Sequence, residues 1–199
     1  MMNLVFFGPP GSGKGTQAEI IASNMELKHI STGDIFRKNI KEKTELGIMA
    51  QAYMKEGKLV PDQLTINLLS NELDMCRSSK GFIFDGFPRT LTQAESFDKL
   101  LSLKNMPISL VISLEVSENE LVYRLLERGK VSGRVDDQDE NIIRNRIQVY
   151  NKETSILKDY YVNTINEYFI SINGEKNIDV ISEDISLYIK NFRVNSHKL

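Results

Sequence analysis

The run Gly8-Pro9-Pro10-Gly11-Ser12-Gly13-Lys14-Gly15-Thr16 directly follows the apolar stretch Leu4-Val5-Phe6-Phe7. An apolar strand that enters a glycine-rich turn, with a lysine opening a helical stretch, commits the chain to one local geometry. Glycine has no Cβ, so successive backbone N–H groups can turn inward toward a single anion. The helix beginning near Lys14 adds unpaired N–H groups and the positive end of its dipole at the same point. The entering strand is apolar at every position, as in a parallel sheet covered on both faces.

The spacing Gly8-x4-Gly13-Lys14 fits the phosphate-loop pattern, in which the lysine reaches the terminal phosphates of a nucleotide. The next residue departs from that pattern: Gly15 stands where a Ser or Thr is usual, and the hydroxyl comes one position later, at Thr16. This weakens the usual assignment of that hydroxyl as a direct magnesium ligand.

Further apolar runs alternate with helical patterns, the signature of a βα-repeating fold. Strands are expected at 3–7, 28–31, 81–85, 109–115 and 169–173, with another at 178–181 after the Asn173-Gly174 turn. Helices are expected at 14–24, 32–41, 46–56, 61–76, 90–105, 118–128, 140–166 (whole or broken) and 182–192. The 199 residues suffice for one domain with a real core, and no repeat or linker divides them. Two segments, 32–60 and the polar loop 129–137, do not read as core and are candidate covers over the phosphate loop.

Charge and cysteine content narrow the function. With 25 Lys and Arg against 27 Asp and Glu, the net charge of −2 gives no reason to expect nonspecific nucleic-acid binding. The single cysteine, Cys76, excludes an intrachain disulfide and a cysteine zinc cluster. No apolar segment approaches a membrane span, and the N-terminal run is too short for a signal-peptide core. The ending His197-Lys198-Leu199 is not the Ser-Lys-Leu peroxisomal signal, so the cytoplasm is the expected compartment.

Several groups are placed to act on phosphate. Gly81-Phe82-Ile83-Phe84-Asp85 is a buried strand ending in a carboxylate, the position from which phosphate-loop proteins hold Mg²⁺ directly or through water. Gly86-Phe87-Pro88-Arg89-Thr90 follows, then Gln93. Arg89 lies at the carboxyl edge of the sheet, where a guanidinium can grip phosphate. Gln93 offers an amide to a base edge. Ser31-Thr32-Gly33-Asp34-Ile35-Phe36-Arg37 repeats the arrangement after another strand. Arg124 and Arg128, four apart, share a helix face; Glu120 can pair with Arg124, or both arginines can serve an anion. Arg134, Arg144 and Arg146 follow. Up to seven arginines and Lys14 thus converge in a chain of negative net charge, which suits a small polyanion. His29 and His197 look isolated, and no nucleophile is evident, so direct transfer by positioning and charge neutralisation is expected.

Taken together, residues 8–17, 31–37, 85–93 and 128–137 resemble the adenylate kinases, in order and across nearly the whole chain. The resemblance implies an α/β phosphate-loop NTPase fold, a five-stranded parallel sheet flanked by helices, within one domain spanning 1–199. It implies a nucleoside-monophosphate-binding insert at 31–60 and a short lid at 128–138. The implied reaction is ATP + AMP ⇌ 2 ADP, with Mg²⁺. By position, Gly11, Ser12, Gly13, Lys14, Gly15, Thr16 and Arg128 would hold ATP. Thr32, Arg37, Lys58, Leu59, Val60, Gly86, Phe87, Arg89, Gln93, Arg134 and Arg146 would hold AMP. Lys14, Arg89, Arg124, Arg128, Arg134 and Arg146 would be catalytic, and Asp85 would hold magnesium through water. The short lid has no cysteine, so no structural zinc is expected. The implied partners are the nucleotides ATP, AMP and ADP, with a monomer and neither nucleic acid nor membrane.

Three alternatives stand at the level of sequence. The stretch after Arg134 is one residue longer than the family pattern, so either Arg144 or Arg146 is the last catalytic arginine. A uridylate/cytidylate kinase on the same scaffold would typically carry Ala at Thr32 and Asn at Thr90 and Gln93, so Thr32 and Gln93 favour AMP. A nonenzymatic nucleotide sensor would be expected to lack some of the cations that this chain retains.

Overall fold

The computed structural model describes residues 1–76, 78–165 and 168–196. Five strands, β1 (Met2–Phe7), β2 (Lys28–Ser31), β3 (Gly81–Asp85), β4 (Leu110–Glu115) and β5 (Phe169–Asn173), form one sheet in the order β2-β3-β1-β4-β5. All four pairings are parallel. The chain lays β2 and β3 on one side of β1, then crosses over to add β4 and β5. The winding therefore changes side at β1, and the crevice at the carboxyl ends there is where such sheets bind ligands.

The helices are α1 (Lys14–Met25), α2 (Thr32–Lys41), α3 (Glu45–Lys55), α4 (Asp62–Met75), α5 (Leu91–Leu103), α6 (Glu118–Ser132), α7 (Glu140–Val149), α8 (Leu157–Ile165) and α9 (Ile178–Ser196). A π-helical turn, Tyr150–Thr154, follows α7. Side chains alternate across β1 with a period of two, which splits the core into two layers. Leu4 and Phe6 pack with Ala18 and Ile21 of α1 and Ile185 of α9. Val5 and Phe7 pack on the other face with Leu69 of α4, Phe97 of α5 and Tyr161 of α8. Burial on both faces is why β1, β3 and β4 are apolar at almost every position.

Two smaller clusters lie outside the sheet layers. Phe36, Ala50, Val60 and Leu68 tie α2 and α3 to the start of α4. Leu121, Leu125, Ile143 and Ile147 join α6 to α7.

The structure corrects two expectations. Residues 178–181 are helical, not a strand: Ile181, Ile185 and Ile189, four apart, are buried on one face of α9, and Ile178 is exposed. The carbonyl of Asn177 accepts the first intrahelical bond, from Ile181 N–H, so Asn177 takes an N-cap position, for which asparagine is preferred. The short run Ile-Asp-Val-Ile carries both periodicities, and only its continuation to Ile189 decides between them. Second, the helix after β4 runs on to Ser132, and Val135–Asp137 forms a 3₁₀ turn that folds back on it. Asp136 and Asp137 are buried there, not solvated as a polar loop would have them. The expected helix over 140–166 breaks at the π turn, and its last residue lies outside the described residues. So does the C-terminal tripeptide.

Ile185→Ala should destabilise the fold by about 2–5 kcal/mol through the cavity it leaves. Ile178→Ala, on the exposed face, should cost no more than about 0.5 kcal/mol. Urea denaturation of the two variants reads the difference directly.

Candidate active site

The phosphate loop turns at Gly13, which precedes α1 with φ of 90°, a conformation open to glycine but strained for residues with a Cβ. Gly11 is confined as well: a Cβ there would sit 2.9 Å from the Leu125 side chain, so α6 is packed against the loop. Lys14 Nζ donates to the Pro9 carbonyl at 3.1 Å, folding the ammonium back across the loop. Burial pulls the Lys14 pKa down to about 8, with Arg89, Arg128 and Arg146 pushing the same way and Asp85 opposing.

The carboxyl ends of β2 and β3 supply the facing wall. The Thr32 hydroxyl donates to the Gly86 carbonyl at 2.9 Å, and Arg89 Nε donates to the same oxygen at 2.6 Å. Burial and the neighbouring Arg146 lower the Arg89 pKa to about 10, which leaves it charged at neutral pH. The Thr154 hydroxyl, on the π turn, donates to the Arg89 carbonyl at 2.8 Å and fixes that backbone. Gln93 is buried against Asp62, with Nε2 donating to Asp62 Oδ1 at 2.7 Å and Oε1 accepting from the Arg89 N–H at 2.8 Å.

The two remaining walls are held together by carboxylates. Arg37 donates to Asp34 Oδ1 at 2.6 Å, and Arg134, from beyond α6, reaches the same oxygen at 3.4 Å. Asp137 is fully buried: Arg128 donates to both its oxygens, at 2.7 and 3.0 Å, and Arg146 to one of them at 2.5 Å. Burial opposes ionisation of Asp137, but the bonds and charges of the two arginines outweigh it and hold the carboxyl below its ordinary range. Arg124 donates to Glu120 at 2.7 Å and to the Gly174 carbonyl at 2.8 Å.

These groups line one cleft of about 760 Å³, toward the upper end of the roughly 300–1,000 Å³ usual for ligand sites. Residues 11–17 form one side, and Thr32, Arg37, Lys58, Leu59, Val60, Gly86, Arg89 and Gln93 the other. Arg124, Arg128, Arg134 and Arg146 stand between. Two expected residues fall elsewhere. The Phe87 ring is buried in the core against Phe97, and it is the neighbours Gly86 and Pro88 that line the cleft. Arg144 turns outward to Glu140 and Glu118, so six arginines converge, not seven, and Arg146 is the one that faces the cleft.

His29 is not isolated: its Nε2 lies 3.6 Å from Asp85 Oδ2. Burial disfavours the Asp85 carboxylate, but His29, Lys14 and Arg89 hold its pKa below the ordinary value. Asp85 Oδ1 is buried with no hydrogen-bond partner among the described residues, and Asp85 lines the cleft. A buried carboxylate oxygen at this point fits a hydrated magnesium ion, which keeps its waters and takes few protein ligands. Sequence reasoning missed Asp62, Asp136, Asp137 and Thr154. Two adjacent aspartates set among arginines were a visible signal for Asp136 and Asp137; nothing marked Thr154.

A glycine-rich phosphate loop faced across one cationic cleft by a second polar wall defines a P-loop phosphotransferase, which passes a phosphoryl group between two bound partners. Comparison with known proteins narrows that class. The adenylate kinase family model matches residues 6–166. An adenylate kinase of Flavobacterium psychrophilum is 53% identical over 96% of this chain and its own full length. One from Bacteroides thetaiotaomicron is 48% identical, covering 93% of this chain and 96% of its own. Another, from Parabacteroides distasonis, is 52% identical over 81% and 85%. The chain belongs to the adenylate kinase family.

Asp137→Asn should destabilise the protein by about 1.5–3 kcal/mol, since two guanidiniums lose their charged acceptor. Because the folded Asp137 carboxyl lies below its ordinary value of roughly 4, its stabilisation is full above that pH and is lost as pH falls through the folded value. Urea midpoints between neutral and acidic pH should therefore fall more steeply for the wild type than for Asp137→Asn.

Proposed function

We propose that this chain is an ATP:AMP phosphotransferase in which the loop side of the cleft takes ATP and the Gln93 side takes AMP. The observation that carries the reading is the convergence of six arginines and Lys14 on one cleft in a chain of net charge −2. Two nucleotides bring that much opposing charge; one phosphate does not.

In this reading Gly11, Ser12, Gly13, Gly15 and Thr16 offer backbone N–H groups and hydroxyls to the ATP phosphates, and Arg128 neutralises them. Thr32, Arg37, Arg89, Arg134 and Arg146 take the AMP phosphate, with Gly86 and the Phe87 backbone beside it. Lys58, Leu59, Val60 and Gln93 receive the base. Magnesium would arrive with ATP, held through water by Asp85, and supplies charge neutralisation between the phosphates.

An AMP phosphate oxygen attacks the γ-phosphorus. That bond forms as the bond from γ-phosphorus to the β,γ-bridging oxygen breaks, and two ADP result. The attacking oxygen is already ionised, so no general base is needed. Lys14 and the arginines stabilise charge on the transferring group, where fixed donors act most strongly. Residues 31–60 and 128–138 close over the pair and keep water from competing as acceptor. In this reading the enzyme is a cytoplasmic monomer.

With ATP and Mg²⁺, AMP should be the acceptor that yields diphosphate; CMP or UMP serving better in a coupled assay would overturn the reading. Because the Lys14 pKa sits near 8 and ATP favours the charged form, ATP binding should take up protons near that pH. Calorimetry in buffers of different ionisation enthalpy measures this uptake, and ATP affinity should weaken as pH rises past about 8.

A further inference from the structure

The Gln93 carboxamide lines the cleft and is held at both ends by the protein. Its Nε2 donates to Asp62 Oδ1 at 2.7 Å, and its Oε1 accepts from the Arg89 N–H at 2.8 Å. Asp62 is itself fixed, because its other oxygen accepts from the Thr90 hydroxyl at 2.9 Å. A carboxylate only accepts and a backbone N–H only donates. These two partners therefore decide which end of the amide is oxygen. Turned over, the amide would set oxygen against carboxylate and N–H against N–H.

A primary amide has two N–H donors and an oxygen with two lone pairs. Asp62 takes one donor and Arg89 fills one acceptor, which leaves one of each in a fixed order. That order distinguishes the purines. A 6-aminopurine presents a donor at position 6 and an acceptor at N1, whereas a 6-oxopurine presents an acceptor at position 6 and a donor at N1. One orientation of the amide complements the first edge, and the reversed orientation complements the second.

We propose that Asp62 is a specificity-determining positioning residue, which locks the Gln93 carboxamide in the orientation that accepts a 6-aminopurine monophosphate and rejects a 6-oxopurine one. The inference rests on the reading of the Gln93 pocket as the AMP site, which assigns the fixed order to the amino edge. A plainer account exists for both residues. Asp62 lies in the first turn of α4, where a carboxylate is favourable. Gln93 lies three positions after Thr90, the N-cap of α5, where a glutamine commonly turns back onto the N-cap N–H. Here, however, Gln93 bonds the N–H of Arg89 instead and sends its other end to a different helix. A merely structural Asp62 would, on loss, weaken every acceptor alike.

The test compares kcat/KM for AMP and for inosine monophosphate, with ATP and Mg²⁺, in the wild type, Asp62→Asn, Asp62→Ala and Gln93→Ala. An asparagine, which can donate as well as accept, no longer opposes the turned amide at that end, and an alanine leaves the amide held by the Arg89 N–H only. The AMP-to-IMP ratio should fall about tenfold or more in whichever Asp62 variant folds, as expected when a hydrogen bond to a charged partner is lost. An unchanged ratio, with both acceptors slowed equally, overturns the role of Asp62. Failure of the underlying reading looks different: the wild type would show no preference for AMP, or Gln93→Ala would keep the wild-type ratio. Either result overturns the proposal at its base.

Discussion

Each of the six arginines of the cleft, and Lys14 with them, rests on an oxygen that the protein itself supplies. Asp34 holds Arg37 and Arg134, and Asp137 holds Arg128 and Arg146. Carbonyls of Gly86, Gly174 and Pro9 take Arg89, Arg124 and Lys14. Seven like charges gathered in one crevice would otherwise repel one another in a region of reduced dielectric. The sharing of acceptors is what makes the arrangement compatible with a stable fold. Phosphate binding is then an exchange of partners, so the net gain on binding is smaller than a count of charges suggests.

The exchange is graded by how firmly each group is held. Arg128 and Arg146 share a buried carboxylate, whereas Arg37 and Arg134 share one that is half exposed. Lys14 has only a carbonyl, and burial already brings its pKa within reach of neutrality. A phosphate therefore finds the lysine the easiest partner to take and the Asp137 pair the hardest. Asp137 keeps two arginines from different helices at a fixed separation, and that serves positioning more than affinity.

Much of this was legible in the chain itself. The phosphate loop, the strand ending in Asp85 and the segment at Thr32 could be read because each couples an apolar run to a polar turn over a few residues. The central strands β1, β3 and β4 could be read because burial on both faces leaves no polar alternation to confuse them. What escaped depends on distance in sequence. Asp62 reaches Gln93 across 31 positions, and Arg134 reaches Asp34 across 100. No local pattern encodes such meetings. The assignment of 178–181 failed for the opposite reason: the local signal was present but too short to separate two periods. The choice between Arg144 and Arg146 needed a helix orientation, which Ile143 and Ile147 on the buried face determine.

The central position of β1 has a consequence for how the molecule opens. Its residues pair with β3 on one side and β4 on the other, and Asn3 to Phe7 are all buried. Amide hydrogens in such a strand exchange only when nearly the whole domain unfolds. The helices α2 and α3, by contrast, rest on a small separate cluster around Phe36, Ala50 and Val60, which costs far less to disrupt. The two halves of the cleft thus sit at opposite ends of the protein's local stability scale. The α2–α3 region can melt and reform many times while the loop that follows β1 keeps its shape.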